Sequence, residues 1–223
     1  MRIASLTCPA NGSSQPWYCE LDDGTSWVVK FAGAGPGVEA LLAEFLANSL
    51  GVLWGLPIPE CKAVLLDKAV PRAGTDEFWD VLDASEGWNL AIREVAGAVN
   101  LVPSMDLPKP TLQRMLAYDT LLANWDRTAL SRNLLQDNDE RVWWIDHGSC
   151  RFLHQLTKQE SPSLPSNHFL FAEKEQFATS SALPESESEA IESLIAAVPE
   201  RWLDGRQPTP LAQQLTAYLR GES

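Results

Sequence analysis

Residues 124–148 read NWDRTALSRNLLQDNDERVWWIDHG, and the rest of the chain is arranged around them. Leu134 and Leu135 begin one short apolar run, and residues 142–145 (VWWI) form a second. Between the runs lie Asp137, Asn138, Asp139 and Glu140, a cluster of turn formers, so the stretch reads as a β-hairpin. Asp126 and Asn133 stand before the first strand and Asp146 directly after the second. An antiparallel pair brings its open ends together, so these side chains should converge although they are far apart in the chain.

An Asp, an Asn a few residues on and a second Asp beyond a hairpin form a set that suits phosphoryl transfer. One Asp orients or accepts the proton of an attacking hydroxyl, while the Asn and the second Asp hold Mg²⁺ against nucleotide phosphates. Mg²⁺ takes oxygen ligands, and phosphates and water supply most of them, so an Asn and an Asp suffice. Asp and Asn are also the commonest turn residues, and the spacing alone fits an ordinary turn equally well. The upstream sequence decides between the two readings.

Residues 17–21 and 27–31 flank Asp22-Asp23-Gly24-Thr25, a second hairpin signal. Its second strand, WVVKF, carries Lys30 inside an apolar run, where a lone Lys is as often simply solvent-facing. Gly33, Gly35, Pro36 and Gly37 make a connector that cannot be element interior. Residues 38–50 then place Leu41, Leu42, Phe45, Leu46 and Leu50 at helical spacing. Glu39 is explained by the dipole of the first helical turn, but Glu44, among the apolar positions, has no such local account. A strand Lys followed by a helix Glu is the ion pair that sets a lysine against nucleotide phosphates. Residues 60–66 read as a strand, and residues 67–88 as loop with one helical turn near Phe78. Residues 88–95 form a further strand that runs into Glu94, Val95 and Gly97. Those residues are the candidate hinge whose backbone would bond adenine, with a plain strand end as the alternative.

Beyond a Pro-rich loop over residues 100–110, residues 111–123 form an amphipathic helix with Leu112, Met115, Leu116, Leu121 and Leu122 as core positions. It delivers the chain to Asp126. Residues 149–159 and 161–171 read as irregular, with the second placed over the cleft. Residues 179–190 are acidic and Ser-rich, and helices follow over residues 189–198 and 209–221.

Bulk composition excludes several classes. With 17 basic against 30 acidic residues the net charge is −13, and no basic stripe is present, so no nucleic-acid partner is expected. The 45% apolar content is enough for a substantial core. No run approaches the roughly 20 apolar residues of a membrane span, and residues 3–8 are too short for a leader's apolar segment. Cys8, Cys19, Cys61 and Cys150 form no CxxC pair and read as buried thiols of a cytoplasmic protein. His147, His154 and His168 are too dispersed to suggest a metal site.

The ordered set resembles the HipA-like kinase family, a bacterial branch of the protein-kinase-like superfamily that also includes the phosphatidylinositol kinases. The pieces that carry the resemblance are DGTSWVVKF with Lys30, LLAEFLANSLG with Glu44, LPIPE, NWDRT with Asp126, NLL beginning at Asn133, and WWIDHG with Asp146. It implies an α+β, two-lobed protein-kinase-like fold. A small antiparallel-sheet N-lobe would span residues 1–97, and a mainly helical C-lobe with the catalytic hairpin residues 98–223. It implies ATP with Mg²⁺, and transfer of the γ-phosphoryl group to a hydroxyl acceptor, protein Ser or Thr first. In that reading Lys30 binds the nucleotide phosphates, Glu44 positions it, Asp126 is catalytic, and Asn133 and Asp146 hold the metal. A regulatory protein partner also belongs to this reading, and a membrane does not. Two departures stand out. Asn133 lies further from Asp126 than the D-x-x-x-x-N spacing of kinases, which would put Ser131 at the ligand position. Asn11-Gly12-Ser13-Ser14 stands where a Gly-rich phosphate loop is expected, without a GxGxxG pattern. They keep open a catalytically silent nucleotide-binding or interaction module, and a small-molecule phosphotransferase of the aminoglycoside-kinase type remains a third reading.

Overall fold

The computed structural model describes residues 1–10, 15–101, 107–177, 183–184 and 187–222. The candidate phosphate loop at residues 11–14, and residues 179–182 and 185–186 of the acidic stretch, lie outside the described residues. A five-stranded antiparallel sheet is built from β1 (Ile3–Pro9), β2 (Trp17–Leu21), β3 (Ser26–Lys30), β4 (Cys61–Leu66) and β5 (Gly87–Arg93), in the order β1-β2-β3-β5-β4. Helix α1 (Val38–Leu53) lies between β3 and β4, and α2 (Asp76–Ala84) between β4 and β5. A second, three-stranded sheet joins β6 (Val99–Asn100) to the hairpin of β7 (Leu134–Gln136) and β8 (Val142–Trp144). Helix α3 (Lys109–Leu122) precedes that hairpin. It is followed by α4 (Phe152–Lys158), α5 (Lys174–Phe177), α6 (Ser188–Ala196), α7 (Glu200–Leu203) and α8 (Pro208–Leu219). The whole is the expected α+β, two-lobed kinase-like architecture.

Strand alternation gives the first sheet two different faces. Trp17, Cys19 and Leu21 of β2, with Trp27 and Val29 of β3, enter one core with Phe78 and Leu82 of α2. Trp17 stacks on Phe78 with ring centroids 4.6 Å apart. The residues between them, Tyr18, Val28 and Lys30, face the opposite way, toward a cavity shared with the second sheet. On that side α1 buries Leu42, Leu46 and Leu50 without solvent exposure. The same core runs on through Tyr118 of α3, Trp144 of β8 and Trp202 of α7. Both Glu44 and Asn48 of α1 are buried in it as well, which is unusual for polar side chains.

Several elements differ from the sequence reading. Ile3–Pro9, to which the sequence reading assigns no element, is a strand; only Ile3 is buried there, so the edge strand carries almost no apolar alternation. The helical turn expected near Phe78 is the full helix α2. Phe152–Lys158, read as irregular, is a helix that buries Phe152, Leu153 and Leu156, and the short α7 was not foreseen. All four cysteines are free thiols, but Cys8 is exposed instead of buried.

Gly33, in the connector between β3 and α1, sets how closely α2 approaches. Its N–H donates to Ser85 Oγ at 2.8 Å, and a Cβ there would lie 2.7 Å from both Ala84 Cβ and the Val81 carbonyl oxygen. Gly33→Ala should therefore destabilise the protein by about 1–3 kcal/mol, the usual range for overpacking. The check is urea denaturation, and an unchanged midpoint would show that α2 yields freely.

Candidate active site

Helix α3 ends at Ala123, whose left-handed conformation (φ 49°) turns the chain into Asn124, Trp125 and Asp126. The Asp126 N–H donates to Asn124 Oδ1 (3.1 Å), and Asn124 Nδ2 donates to Asp119 Oδ1 (2.9 Å), so the turn is tied back to the helix. The extra residues between Asp126 and Asn133 form a compact outward loop. The Thr128 N–H donates to the Asp126 and Ser131 carbonyls (3.0 and 2.9 Å), and Leu130 stands 97% exposed at its tip. Asn133 returns to Asp126, where its Nδ2 donates to Asp126 Oδ2 at 3.1 Å, and Ser131 Oγ donates to Asn133 Oδ1 at 2.8 Å. The long spacing thus brings Asn133 to Asp126, with Ser131 alongside.

The hairpin closes as its sequence implies. Leu134 faces Trp144 across β7 and β8, and the Ile145 N–H donates to the Asn133 carbonyl at 3.0 Å. Asn133 (φ 51°) and Asp146 (φ 61°) both adopt left-handed conformations, which Asn and Asp tolerate better than other side chains. Asp146 Oδ1 accepts from Lys30 Nζ at 2.7 Å, and the same ammonium is 2.6 Å from Glu44 Oε2. One lysine on β3, one glutamate on α1 and one aspartate beyond β8 therefore meet at a point.

That point is the inner end of a cavity of about 430 Å³. Tyr18 and Val28 cover it from the first sheet, and Leu135 and Ile145 form its base. Glu94 and Val95 line the outer wall, whereas Gly97 does not. Gly97 (φ +69°) packs instead against Asn138, where a Cβ would come within 2.5 Å of the side-chain amide nitrogen. A hollow of about 610 Å³ on the other side of Glu94 and Val95 reaches Asp137 and Trp143 but none of the converging charged groups. The irregular segment expected over the cleft braces the catalytic loop: Asn167 Nδ2 donates to the Trp125 carbonyl (2.8 Å), and the Phe169 N–H to the Arg127 carbonyl (3.1 Å).

Beneath the loop lies a buried polar network that sequence reasoning largely missed. Arg127 Nε donates to Asp119 Oδ2 at 2.6 Å, and its Nη1 to the Arg132 and Asn133 carbonyls at 2.8 and 2.9 Å. His168 Nε2 lies 3.0 Å from Asp119 Oδ2. His147 lies between Arg127 Nη2 (3.1 Å) and Asn48 Oδ1 (2.8 Å). Asp119 sits inside an amphipathic helix, and its only signal was an acidic residue between apolar Tyr118 and Leu121.

The electrostatics follow from this arrangement. Burial alone would lower the Lys30 ammonium, but the Glu44 and Asp146 carboxylates outweigh it and hold Lys30 charged, above its ordinary range. Burial also opposes ionisation of Asp146, yet Lys30 keeps that carboxyl below the usual value. Asp126 is shifted the other way, upward, by burial and by the nearby Asp146 charge. A depressed and a raised carboxyl side by side suit a permanent anion and a proton acceptor respectively.

A family model for HipA-like kinases matches residues 6–218. The chain belongs to the HipA-like kinase family. This HipA-like kinase is therefore a phosphotransferase of the kinase type. No curated protein matches the chain at a significant level.

Among the described residues no group of three or more His, Cys, Asp or Glu side chains forms a self-sufficient metal site. The residues fit a hard cation that shares its shell with phosphates. The Asn133 amide nitrogen is committed to Asp126, its Oδ1 accepts from Ser131 Oγ and keeps a second lone pair, and Asp146 is ionised. Lys30 alone faces Glu44 and Asp146, with Asp126 close by, so negative charge is in excess.

The network makes stability depend on acid in a defined direction. Burial and Arg127 depress His147 from 6.5 to about 3, so between those values the unfolded chain binds a proton that the folded one does not. Burial would raise Asp119, but Arg127 and His168 hold it at about 2, and this contribution is lost below the ordinary 3.8. Both act alike: stability is full above pH 6.5 and falls as pH falls. Urea midpoints taken between about pH 7 and about pH 4 should decline steadily, and His147→Gln should flatten the upper part of the decline.

Proposed function

We propose that this kinase binds ATP with Mg²⁺ in the 430 Å³ cavity and transfers the γ-phosphoryl group to a hydroxyl, with protein Ser or Thr as the acceptor. The observation that carries the reading is the meeting of Lys30, Glu44 and Asp146 within 2.8 Å, beside an Asp126 that Asn133 contacts directly. Lys30 serves as a fixed point charge for the α- and β-phosphates, with Glu44 holding its flexible stem. Asn133 Oδ1 and the Asp146 carboxylate would hold Mg²⁺, which neutralises charge on the phosphates as transfer proceeds. Asp126, with its raised affinity for a proton, orients and deprotonates the acceptor hydroxyl. Tyr18, Val28, Leu135 and Ile145 supply apolar surfaces for the base, and the backbone at Glu94 and Val95 its polar edge.

The division into an N-lobe over residues 1–97 and a C-lobe over 98–223 belongs to the same proposal. It is supported by β5, which ends the first sheet at Arg93, and by β6, which pairs with β7 in the second. The four free thiols support a reducing cytoplasmic setting. No helix among the described residues is long and apolar enough to cross a membrane. A regulatory protein partner remains part of the proposal on the family resemblance. The return of Asn133 to Asp126 favours an active site over a silent module, because the longer loop does not remove the ligand from the catalytic Asp.

Calorimetric titration with ATP, with and without Mg²⁺, tests the reading on wild type and Asp146→Ala. Binding strengthened by Mg²⁺ in wild type and indifferent to it in Asp146→Ala is expected, and no binding at millimolar ATP would overturn the proposal. Asp126→Ala should retain Mg²⁺·ATP binding and lose at least about 100-fold in transfer rate, the typical contribution of a positioned acid–base group.

A further inference from the structure

Residue 147 is held by both α1 and the catalytic loop. Its ring Nδ1 meets Asn48 Oδ1 of α1 at 2.8 Å, and its Nε2 meets Arg127 Nη2 at 3.1 Å. The direction of these bonds can be deduced. A guanidinium only donates, so Arg127 gives a hydrogen to Nε2, which must then be the unprotonated nitrogen. The ring proton sits on Nδ1 and is donated to Asn48. The same logic fixes the Asn48 amide with its oxygen toward the ring, and its Nδ2 is left buried without a partner. A buried, unsatisfied amide one helical turn from Glu44 is what remains when orientation of the ring takes precedence over local satisfaction.

We propose that His147 is a positioning residue that carries the register of α1 to Asp146 and the catalytic loop, with Asn48 and Arg127 as its anchors. This rests on the Mg²⁺·ATP reading of the site. Asp146 lies between two fixed neighbours: Ile145, bonded through its N–H to Asn133, and His147, bonded on both sides of its ring. The left-handed backbone at Asp146 (φ 61°) is thereby held in the orientation that faces Lys30. Arg127 grips the Asn133 carbonyl with the same guanidinium, so both metal-facing residues take their position from the His147–Arg127 contact.

Half-replacements of the ring separate the two bonds. His147→Gln places an amide near the Nε2 position and keeps the acceptor for Arg127, whereas His147→Asn keeps a donor near Nδ1 for Asn48. The measured quantity is the ratio of ATP affinity with Mg²⁺ to that without, by calorimetry, together with the melting temperature. Each half-replacement should reduce the ratio about tenfold, and His147→Ala about a hundredfold, as expected for one and two hydrogen bonds. Metal-free ATP affinity should stay within about twofold of wild type, since Lys30 and Glu44 keep their contact. Tyr218→Phe is the control for general destabilisation: its hydroxyl bonds the Leu121 carbonyl and Gln155, none of which lines the cavity, so melting should fall with the ratio unchanged. A wild-type ratio in both half-replacements, or equal losses with and without Mg²⁺, would overturn the inference and leave the active-site reading intact. A wild-type protein whose ATP affinity ignores Mg²⁺ would overturn that reading and this inference with it.

Discussion

The guanidinium of Arg127 has no solvent exposure, and it bonds to Asp119, the Arg132 and Asn133 carbonyls and the His147 ring. A buried charge persists only when it is paired and its remaining donors are used, and Asp119 at 2.6 Å provides the counter-charge. Because the fork is planar and rigid, its partners are held at fixed angles as well as distances. Helix α3, the two ends of the catalytic loop and the residue after Asp146 are therefore referred to one side chain. This explains why loop length matters less than the sequence suggested. With both ends pinned, the additional residues project outward around the exposed Leu130 and leave Asn133 in contact with Asp126.

The cleft applies the opposite electrostatic rule. Arg127 is neutralised locally, whereas Lys30 is shared between Glu44 and Asp146 and cannot satisfy both. Glu44 is wholly enclosed, and burial pushes its carboxyl up against the pull of Lys30, while the more open Asp146 stays ionised. The uncompensated negative charge thus lies at Asp146, which lines the cavity, and at Asp126 close by. The two ion-pair systems adjoin at His147 and differ in balance: one is closed and holds the backbone, and the other carries an excess of negative charge.

Much of this was legible in the sequence because it depends on period and order. Alternation in residues 17–31, helical spacing in 38–50 and turn chemistry in 137–140 each match the observed element, and of the ordered set Lys30 meets Glu44 and Asp146, while Asn133 meets Asp126. What escaped was whatever depends on partners distant in the chain. Strand β1 has one buried residue and is defined by its pairing with β2, not by its own pattern. The α4 sequence FLHQLTK is too short to show a period. Asp119 and Asn48 look like solvent-facing positions on amphipathic helices until Arg127, His168 and His147 arrive from later segments to bury them. Hydrophobic periodicity reports which face is apolar, and carries no signal for a buried polar residue whose partner is supplied by tertiary contact.

The position of α1 has a consequence for how the site is assembled. Phe45 packs edge-on against Trp202 at 6.0 Å, the Tyr118 hydroxyl donates to the Ala47 carbonyl, and Asn48 meets His147. Trp202 in turn donates to the Trp88 carbonyl of β5 at 3.2 Å, so the C-terminal helices hold α1 and the first sheet together. Displacing α1 would break several of these at once and leave buried polar groups with no water to replace them, each at a cost of about 1–3 kcal/mol. The Lys30–Glu44 contact is therefore a property of the folded ground state. Under the proposed function, a nucleotide entering the cavity would meet charges already fixed in place, and the free energy of its binding would not be spent on ordering them.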